Sequence, residues 1–292
     1  MKAIQFHEYN GPLTVDEIAR PAAGDGQSLV RVTATSFNPV DAAFRAGMLP
    51  VELPHTPGLD VSGTVSGRPV IGFLPMGANG AAAEWVVAPT DSLTDAPTTV
   101  PLADAAAIPA VALTAWQALV EHAQLQPGQR ILINGAGGGV GGFAVQFAKQ
   151  AGATVIATAG PRSTDPVRAA GADQIIDYTS TDVAAAGIEP VDVVLNLIRT
   201  DEAAMAALVA LTRPGGILVS TASPASEDTE RKVRTMNMYV RSDAAQLAEI
   251  VRRIDAGEIT VNVTARFPLA DLSTVYDRSA AGEIYGKVVI TI

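Results

Sequence analysis

The hydrophobic rhythm of the chain changes near residue 102 and again after residue 257. Up to about residue 105, short apolar runs are cut by turn signals such as Asn10-Gly11-Pro12, Gly24-Asp25-Gly26 and Pro54-His55-Thr56-Pro57-Gly58. That text predicts the strands of an irregular β domain, with three of them at 29–35, 60–65 and 83–88. Farther on, Ala-rich segments with helical spacing alternate with compact β-branched runs, which predicts βα repetition. Strands are expected at 130–134, 154–158, 174–176, 191–197 and 216–221, each near-continuously apolar, as strands buried on both faces of a parallel sheet should be. Helices are expected at 140–151, 165–170, 201–211 and 243–256, with Gly152, Gly171 and Gly257 placed to stop them. Strand text returns at 260–267 and 287–292 around a short helical piece at 269–280, a tail expected to rejoin the first domain.

The strand text of 130–134 runs directly into Gly135-Ala136-Gly137-Gly138-Gly139-Val140-Gly141-Gly142 and then into helix text. Glycine lets a backbone turn tightly and approach a pyrophosphate, whose charge then sits at the positive end of the following helix. A lone G-x-G-x-x-G is weak, but strand, glycine turn and helix stand here in the required order. The motif is read either as Ala136-x-Gly138-x-x-Gly141 or, one step on, as Gly137-x-Gly139-x-x-Gly142. The candidate nucleotide contacts are Ala136, Gly138, Gly139, Val140 and Gly141.

Sites for NAD usually place an acidic residue about 20 positions beyond the glycines, where it accepts from the ribose 2′-hydroxyl. Here the second strand ends Thr158-Ala159-Gly160-Pro161-Arg162-Ser163, with no acid. Arg162 and Ser163 offer a cation and a hydroxyl to a 2′-phosphate instead, so NADPH is the expected cofactor.

Composition removes other chemistries. The formal net charge of −10 opposes nucleic acid and anionic membrane surfaces. The absence of cysteine excludes disulfides, thiolate nucleophiles, zinc thiolate sites and iron–sulfur clusters, and fits a cytoplasmic address. No stretch reaches the roughly 18 apolar residues of a membrane helix, and the polar start of the chain predicts a soluble, untargeted protein. The three histidines, His7, His55 and His122, lack ligand spacing, and His55 is expected in a structural or solvated role. No Gly-x-Ser-x-Gly elbow appears, so hydrolysis is set aside.

Several further stretches carry a resemblance. Asn38-Pro39-Val40-Asp41, the run from Leu53 to Val65, Ala83-Glu84-Trp85-Val86-Val87, the glycine turn, the segment Gly171 to Tyr178 and the closing Gly286-Lys287-Val288-Val289-Ile290 resemble, in order and spacing, the signatures of zinc-independent quinone oxidoreductases. This family, zeta-crystallin-like, belongs to the medium-chain dehydrogenase/reductase superfamily. The resemblance implies a fold of class α/β: a GroES-like β domain (1–108 and 257–292) and a Rossmann domain, a doubly wound parallel sheet that binds NADPH (109–256). It also implies hydride transfer to a quinone-type acceptor. Zinc-dependent relatives place Cys where Asn38 stands and His-Glu where Leu59-Asp60 stands, so no metal is expected. Two departures accompany the match: only Ser66-Gly67-Arg68-Pro69 separates two strands where the family has a longer segment, and Gly47-Met48-Leu49-Pro50 stands where many members carry a tyrosine.

By the same resemblance Asn38 lies beside the nicotinamide ring, where it bonds the carboxamide or the substrate carbonyl. Asp41 is a supporting residue, or else a helix cap or turn acceptor. Thr114 matches a position near the nicotinamide, though a Thr on an Ala-rich helix also bonds its own backbone. Tyr178 matches a residue on the adenosine side, or is a core aromatic. Phe44, Met48, Leu49 and Phe73 are candidates for an apolar substrate pocket, with a plain core role as the alternative. A quinone reduced by hydride becomes a phenoxide that solvent protonates, whereas an alkene needs a placed proton donor, so the missing tyrosine favours quinones. The alternatives are an enoyl or alkenal reductase and an NADPH-binding structural or regulatory protein without turnover. A homodimer is expected.

Overall fold

The computed structural model describes residues 1–292, which divide into two compact units, Met1–Leu113 with Ser242–Ile292, and Thr114–Arg241. The helix Ala244–Asp255, expected in the second domain, groups with the first unit. Its apolar face, Leu247, Ile250, Val251 and Ile254, recurs at helical spacing and is buried, and the helix packs on the strand Leu93–Asp95. Its Asp255 Oδ1 accepts from the Thr98 and Thr99 N–H groups at 2.8 and 3.0 Å, which ties it to the same unit.

The first unit is built on a seven-stranded sheet. Across it run Val263–Pro268, Lys287–Thr291, Gln27–Ser36, Asp60–Val65, Arg68–Phe73 and Leu93–Asp95, and Trp85–Pro89 also pairs with Gln27–Ser36. The tail strand Lys287–Thr291 thus lies directly against Gln27–Ser36, antiparallel, as a rejoining tail requires. Where the family has a longer segment, Val65 pairs with Arg68 and only Ser66 and Gly67 turn the chain. Both have positive φ, 50° and 86°, which suits the primed two-residue hairpin whose twist matches its strands. The shortened edge is a closed hairpin.

In the second unit every strand pair is parallel. Numbered along the chain, Arg130–Asn134, Thr154–Ala159, Gln174–Asp177, Val191–Asn196, Thr212–Ser220 and Arg234–Asn237 lie across the sheet in the order 3-2-1-4-5-6. That is the doubly wound order, whose strand sequence reverses between the first and fourth strands. The last strand was not anticipated: three of its four residues are polar, and Met236 is 39% exposed. The fifth begins four residues before the predicted start, at Thr212, because its Pro-Gly-Gly segment reads as a turn. Ahead of the sheet, the helix Pro109–Trp116 runs into a wider π-helical turn, Gln117–His122. No helix is long and apolar enough to cross a membrane.

Candidate functional site

Each unit carries one group of candidate residues. In the first, Asn38 caps the short helix Pro39–Arg45, with Pro39 at its first position. Asp41 reaches back to accept from the Asn38 N–H at 2.9 Å, and its other oxygen accepts from Gly58 N–H at 3.0 Å. The carboxylate therefore joins the cap to the Gly58 turn, the turn-acceptor role that the sequence allowed for Asp41. Burial pushes the Asp41 carboxyl up to about 6, against the pull of those two N–H groups and of Lys287, and with the push of Asp60.

The Asn38 side chain meets residues that sequence reasoning did not select. Its Nδ2 donates to Asp60 Oδ2 at 2.8 Å and its Oδ1 accepts from Lys287 Nζ at 2.6 Å. Lys287 also donates to Asp60 Oδ2 at 3.1 Å and to the Phe37 carbonyl at 3.1 Å. Asp60 accepts in addition from the Ser36 hydroxyl and, through Oδ1, from Ala110 N–H at 2.6 Å. All of these side chains are buried. A buried charge must be paired and hydrogen-bonded, and this pair is both. The available signal is a single charge at the head of each of two otherwise uncharged strands, Asp60 in Asp60–Val65 and Lys287 in Lys287–Thr291. Beside the cluster, Asp41, Tyr276, Thr35 and Pro57 line a small cavity. The Tyr276 hydroxyl is buried there without a partner, and burial followed by the charge of Asp41 raises it well above the usual phenol.

In the second unit the helix Gly139–Gln150 starts at the end of the first parallel strand, with Gly138 as its cap. A Cβ at Gly141 would run into the backbone of Ala136, 2.5 Å from its carbonyl carbon, whereas one at Gly142 would meet nothing within 4 Å. Close helix–turn packing is the task of the third motif glycine, so Ala136-x-Gly138-x-x-Gly141 is the register. A Cβ at Gly138 would find only the Gly135 carbonyl oxygen, at 3.5 Å, which leaves an open cradle before the first turn of the helix. The first-turn N–H groups, on Gly139, Val140 and Gly141, have no acceptor within the helix. Ser163 abuts the turn, since a Cβ on Gly137 would lie 2.6 Å from Ser163 Cβ, and its hydroxyl donates to the Gly160 carbonyl at 3.3 Å. Tyr178 lies over Gly160, so Tyr178 and Ser163 flank one glycine. Tyr178 is 58% exposed, which removes the core-aromatic alternative. Arg162 is exposed beside them.

A buried polar row that the sequence reading missed supports the turn. Gly135 N–H donates to Thr158 Oγ1 at 2.8 Å, Thr158 to Asn134 at 3.0 Å, Asn134 to Asn196 at 2.9 Å, and Asn196 to Ser220 at 3.2 Å. Asn134, Asn196 and Ser220 are register partners, and all four residues lie on neighbouring strands, each at or next to its strand's C-terminal end. The remaining candidates do not share one environment. Phe44 and Phe73 are buried in the first unit, while Met48 and Leu49 are exposed. His55 is interior, its ring 5.3 Å from that of Phe6 and 5.9 Å from that of Phe44, and burial lowers its basicity, so its role is structural. Thr114 is buried in the helix Pro109–Trp116.

Known proteins share this arrangement. The sequence profile of the alcohol dehydrogenase GroES-like domain matches residues 24–98, and that of the zinc-binding dehydrogenases matches residues 170–290. The chloroplastic quinone-oxidoreductase QR1 of Triphysaria versicolor is 27% identical over 99% of this chain and 98% of its own length. Trans-enoyl reductase pgmF of Aspergillus terreus is 29% identical over 92% of this chain and 87% of its own. Among solved structures, the quinone oxidoreductase from Coxiella burnetii superposes with a TM-score of 0.92 at 28% identity, over 100% of this chain and 99% of that one. The quinone oxidoreductase from Thermus thermophilus, solved also in complex with NADPH, gives 0.86 at 28% identity over the whole of both chains. A GroES-like sheet unit with a doubly wound unit defines the medium-chain dehydrogenases and reductases. Within that superfamily the chain is similar to the quinone oxidoreductases over its whole length. The metal named by one profile does not suit the residues present. Asn38, Leu59 and Asp60 offer neither thiolate nor imidazole, and the cation bound to Asp60 is the lysine ammonium of the chain itself.

Proposed function

We propose that the protein is a zinc-independent, NADPH-dependent oxidoreductase that reduces quinone-type acceptors. The carrying observation is the glycine turn: Gly141 packed on Ala136, an open cradle at Gly138 and a helix N-terminus beyond it, at the reversal point of a 3-2-1-4-5-6 sheet. Backbone N–H groups of Gly139, Val140 and Gly141 hold the pyrophosphate there. Arg162 and Ser163 take the 2′-phosphate, and Tyr178 borders the adenosine. When bound, NADPH supplies the hydride. The protein orients and shields, because little acid–base chemistry is asked of it. Asn38 hydrogen-bonds a carbonyl oxygen, Asp41 holds the Asn38 cap in place, and Thr114 serves the nicotinamide end. The reduced quinone leaves as a phenoxide that water protonates, so no protein acid is needed. The similarity to a trans-enoyl reductase supports activated alkenes as the second acceptor class. A cytoplasmic homodimer completes the reading, supported by the exposed Met236 and Tyr239 at and just beyond the edge strand Arg234–Asn237.

Titration of the protein with NADPH and NADH, and turnover with a panel of quinones against 2-alkenals and enoyl thioesters, test this. Tighter NADPH binding, a preference that falls at least about tenfold in Arg162→Ala, and quinone turnover are expected. Equal affinities, or activity confined to alkenes, would refute the corresponding half.

A further inference from the structure

A carboxamide is nearly symmetric in shape, and only its partners decide which end is the donor. At Asn38 the partners leave no choice. The Lys287 ammonium, which only donates, lies 2.6 Å from one end, and the Asp60 carboxylate, which only accepts, lies 2.8 Å from the other. Turning the amide over would set NH2 against an ammonium and oxygen against a carboxylate, in an interior where such contacts are poorly screened. Neither partner is free to follow. Lys287 spends its three hydrogens on Phe37, Asn38 and Asp60, and Asp60 is held by Ser36, Ala110 and Lys287. The backbone of Asn38 is fixed in turn by Asp41. One polar hydrogen remains: Nδ2 carries two, gives one to Asp60, and has no partner for the second.

We propose that Lys287 is a positioning residue that locks the Asn38 carboxamide as a donor, so that the acceptor molecule must present a carbonyl oxygen to it. This rests on the reductase reading above and adds which substituent is recognised and which residue dictates it. The lysine also draws electron density from Oδ1, which makes the remaining N–H a stronger donor. A hydroxyl or amine hydrogen brought to the same place finds no acceptor. The donor also suits the phenoxide oxygen that hydride transfer leaves on the acceptor, and its hold weakens once water protonates that oxygen.

The carbonyl stretch of a bound ¹³C-labelled para-quinone, read by infrared difference spectroscopy on cofactor-free protein, tests the proposal without turnover. A single band shifted to lower wavenumber is expected in the native protein, and its loss in Asn38→Ala. In the charge-balanced double variant Asp60→Asn/Lys287→Met the shifted band should weaken or split, with kcat for the quinone down at least about tenfold and the melting profile and NADPH affinity retained. If the double variant does not fold, Lys287→Arg, which keeps a cation, should preserve one band. Lys287→Gln, whose amide offers Asn38 an acceptor as well as a donor, should give two. An unchanged single band in the double variant or in Lys287→Gln overturns the role of Lys287. So does a loss of NADPH affinity in place of the carbonyl shift, because Asn38 would then serve the cofactor. A native protein that neither binds nor reduces any quinone overturns the reductase reading instead.

Discussion

The glycine turn of the second unit and the Asn38 cluster of the first are assembled in opposite ways. The turn is eight consecutive residues without a single charge, and its means are backbone N–H groups and missing Cβ atoms. The cluster draws Ser36, Asn38, Asp60 and Lys287 from three distant stretches of chain and works mainly through side chains, two of them charged and buried. A backbone site is broken by added volume at its tight positions rather than by the loss of a side-chain charge. The reverse holds for the cluster, and substitutions should expose the difference.

The largest effect is expected from breaking the ion pair on one side. Lys287→Met leaves the Asp60 carboxylate, fully buried, without its cation, and removing one partner of such a pair costs about 3–5 kcal/mol. Asp60→Asn/Lys287→Met should recover most of that loss, because no uncompensated charge remains. Urea denaturation of both variants gives the two numbers, and a double variant no more stable than the single would show that packing, not charge, holds the cluster.

Next comes pH. With its carboxyl pushed up to about 6, Asp41 takes up its proton in the folded protein before the unfolded chain does, at about 3.9. The folded state binds the extra proton between those values, so stability falls as pH rises through the window, by about 3 kcal/mol in total, and the whole penalty is present above pH 6. Asp41→Asn removes that slope. The difference in unfolding free energy between native protein and variant, measured from pH 4 to pH 7, should therefore change in the direction that favours the variant as pH rises. A difference that stays flat would place Asp41 in a far more polar setting than its burial indicates.

How much of each region the sequence reveals follows from the same contrast. Strand, glycines and helix occupy contiguous text, so the turn is readable in the sequence, and only its register needs the structure. The cluster depends on Lys287 lying beside Asn38, 249 positions away, and no local pattern carries such a pairing. Lys287 was visible only as part of a family signature, and Asp60 only as the place of a missing ligand. The polar row from Thr158 to Ser220 is hidden for a related reason: a polar residue near the end of an apolar run looks like an imperfection until the sheet brings the four strand ends together. The boundary at 241 and 242 was hidden too, because the helix Ala244–Asp255 shows its apolar face but not the strand that covers it.

Within the turn, two adjacent glycines separate volume from flexibility. Gly141→Ala forces a methyl group against the Ala136 backbone, which cannot swing aside as a side chain does, and overpacking of this kind costs about 1–3 kcal/mol. Because the shift falls on the turn itself, NADPH affinity should drop with stability, by about tenfold or more. Both are read from one thermal titration with and without NADPH.

Gly142→Ala should do the opposite, and by less. Its methyl group meets nothing within 4 Å, and the residue sits inside the helix Gly139–Gln150, where alanine is preferred to glycine by about 0.8–1 kcal/mol. The gain comes mainly from the unfolded chain, which has more freedom to lose at glycine. Stability of the free protein should therefore rise slightly while NADPH affinity stays within about twofold, a change too small to count as a lost contact. If Gly142→Ala instead weakens NADPH binding as Gly141→Ala does, the open space beside Gly142 is part of the cofactor's path. The cradle would then extend one residue farther into the helix than Gly138 and Gly141 define.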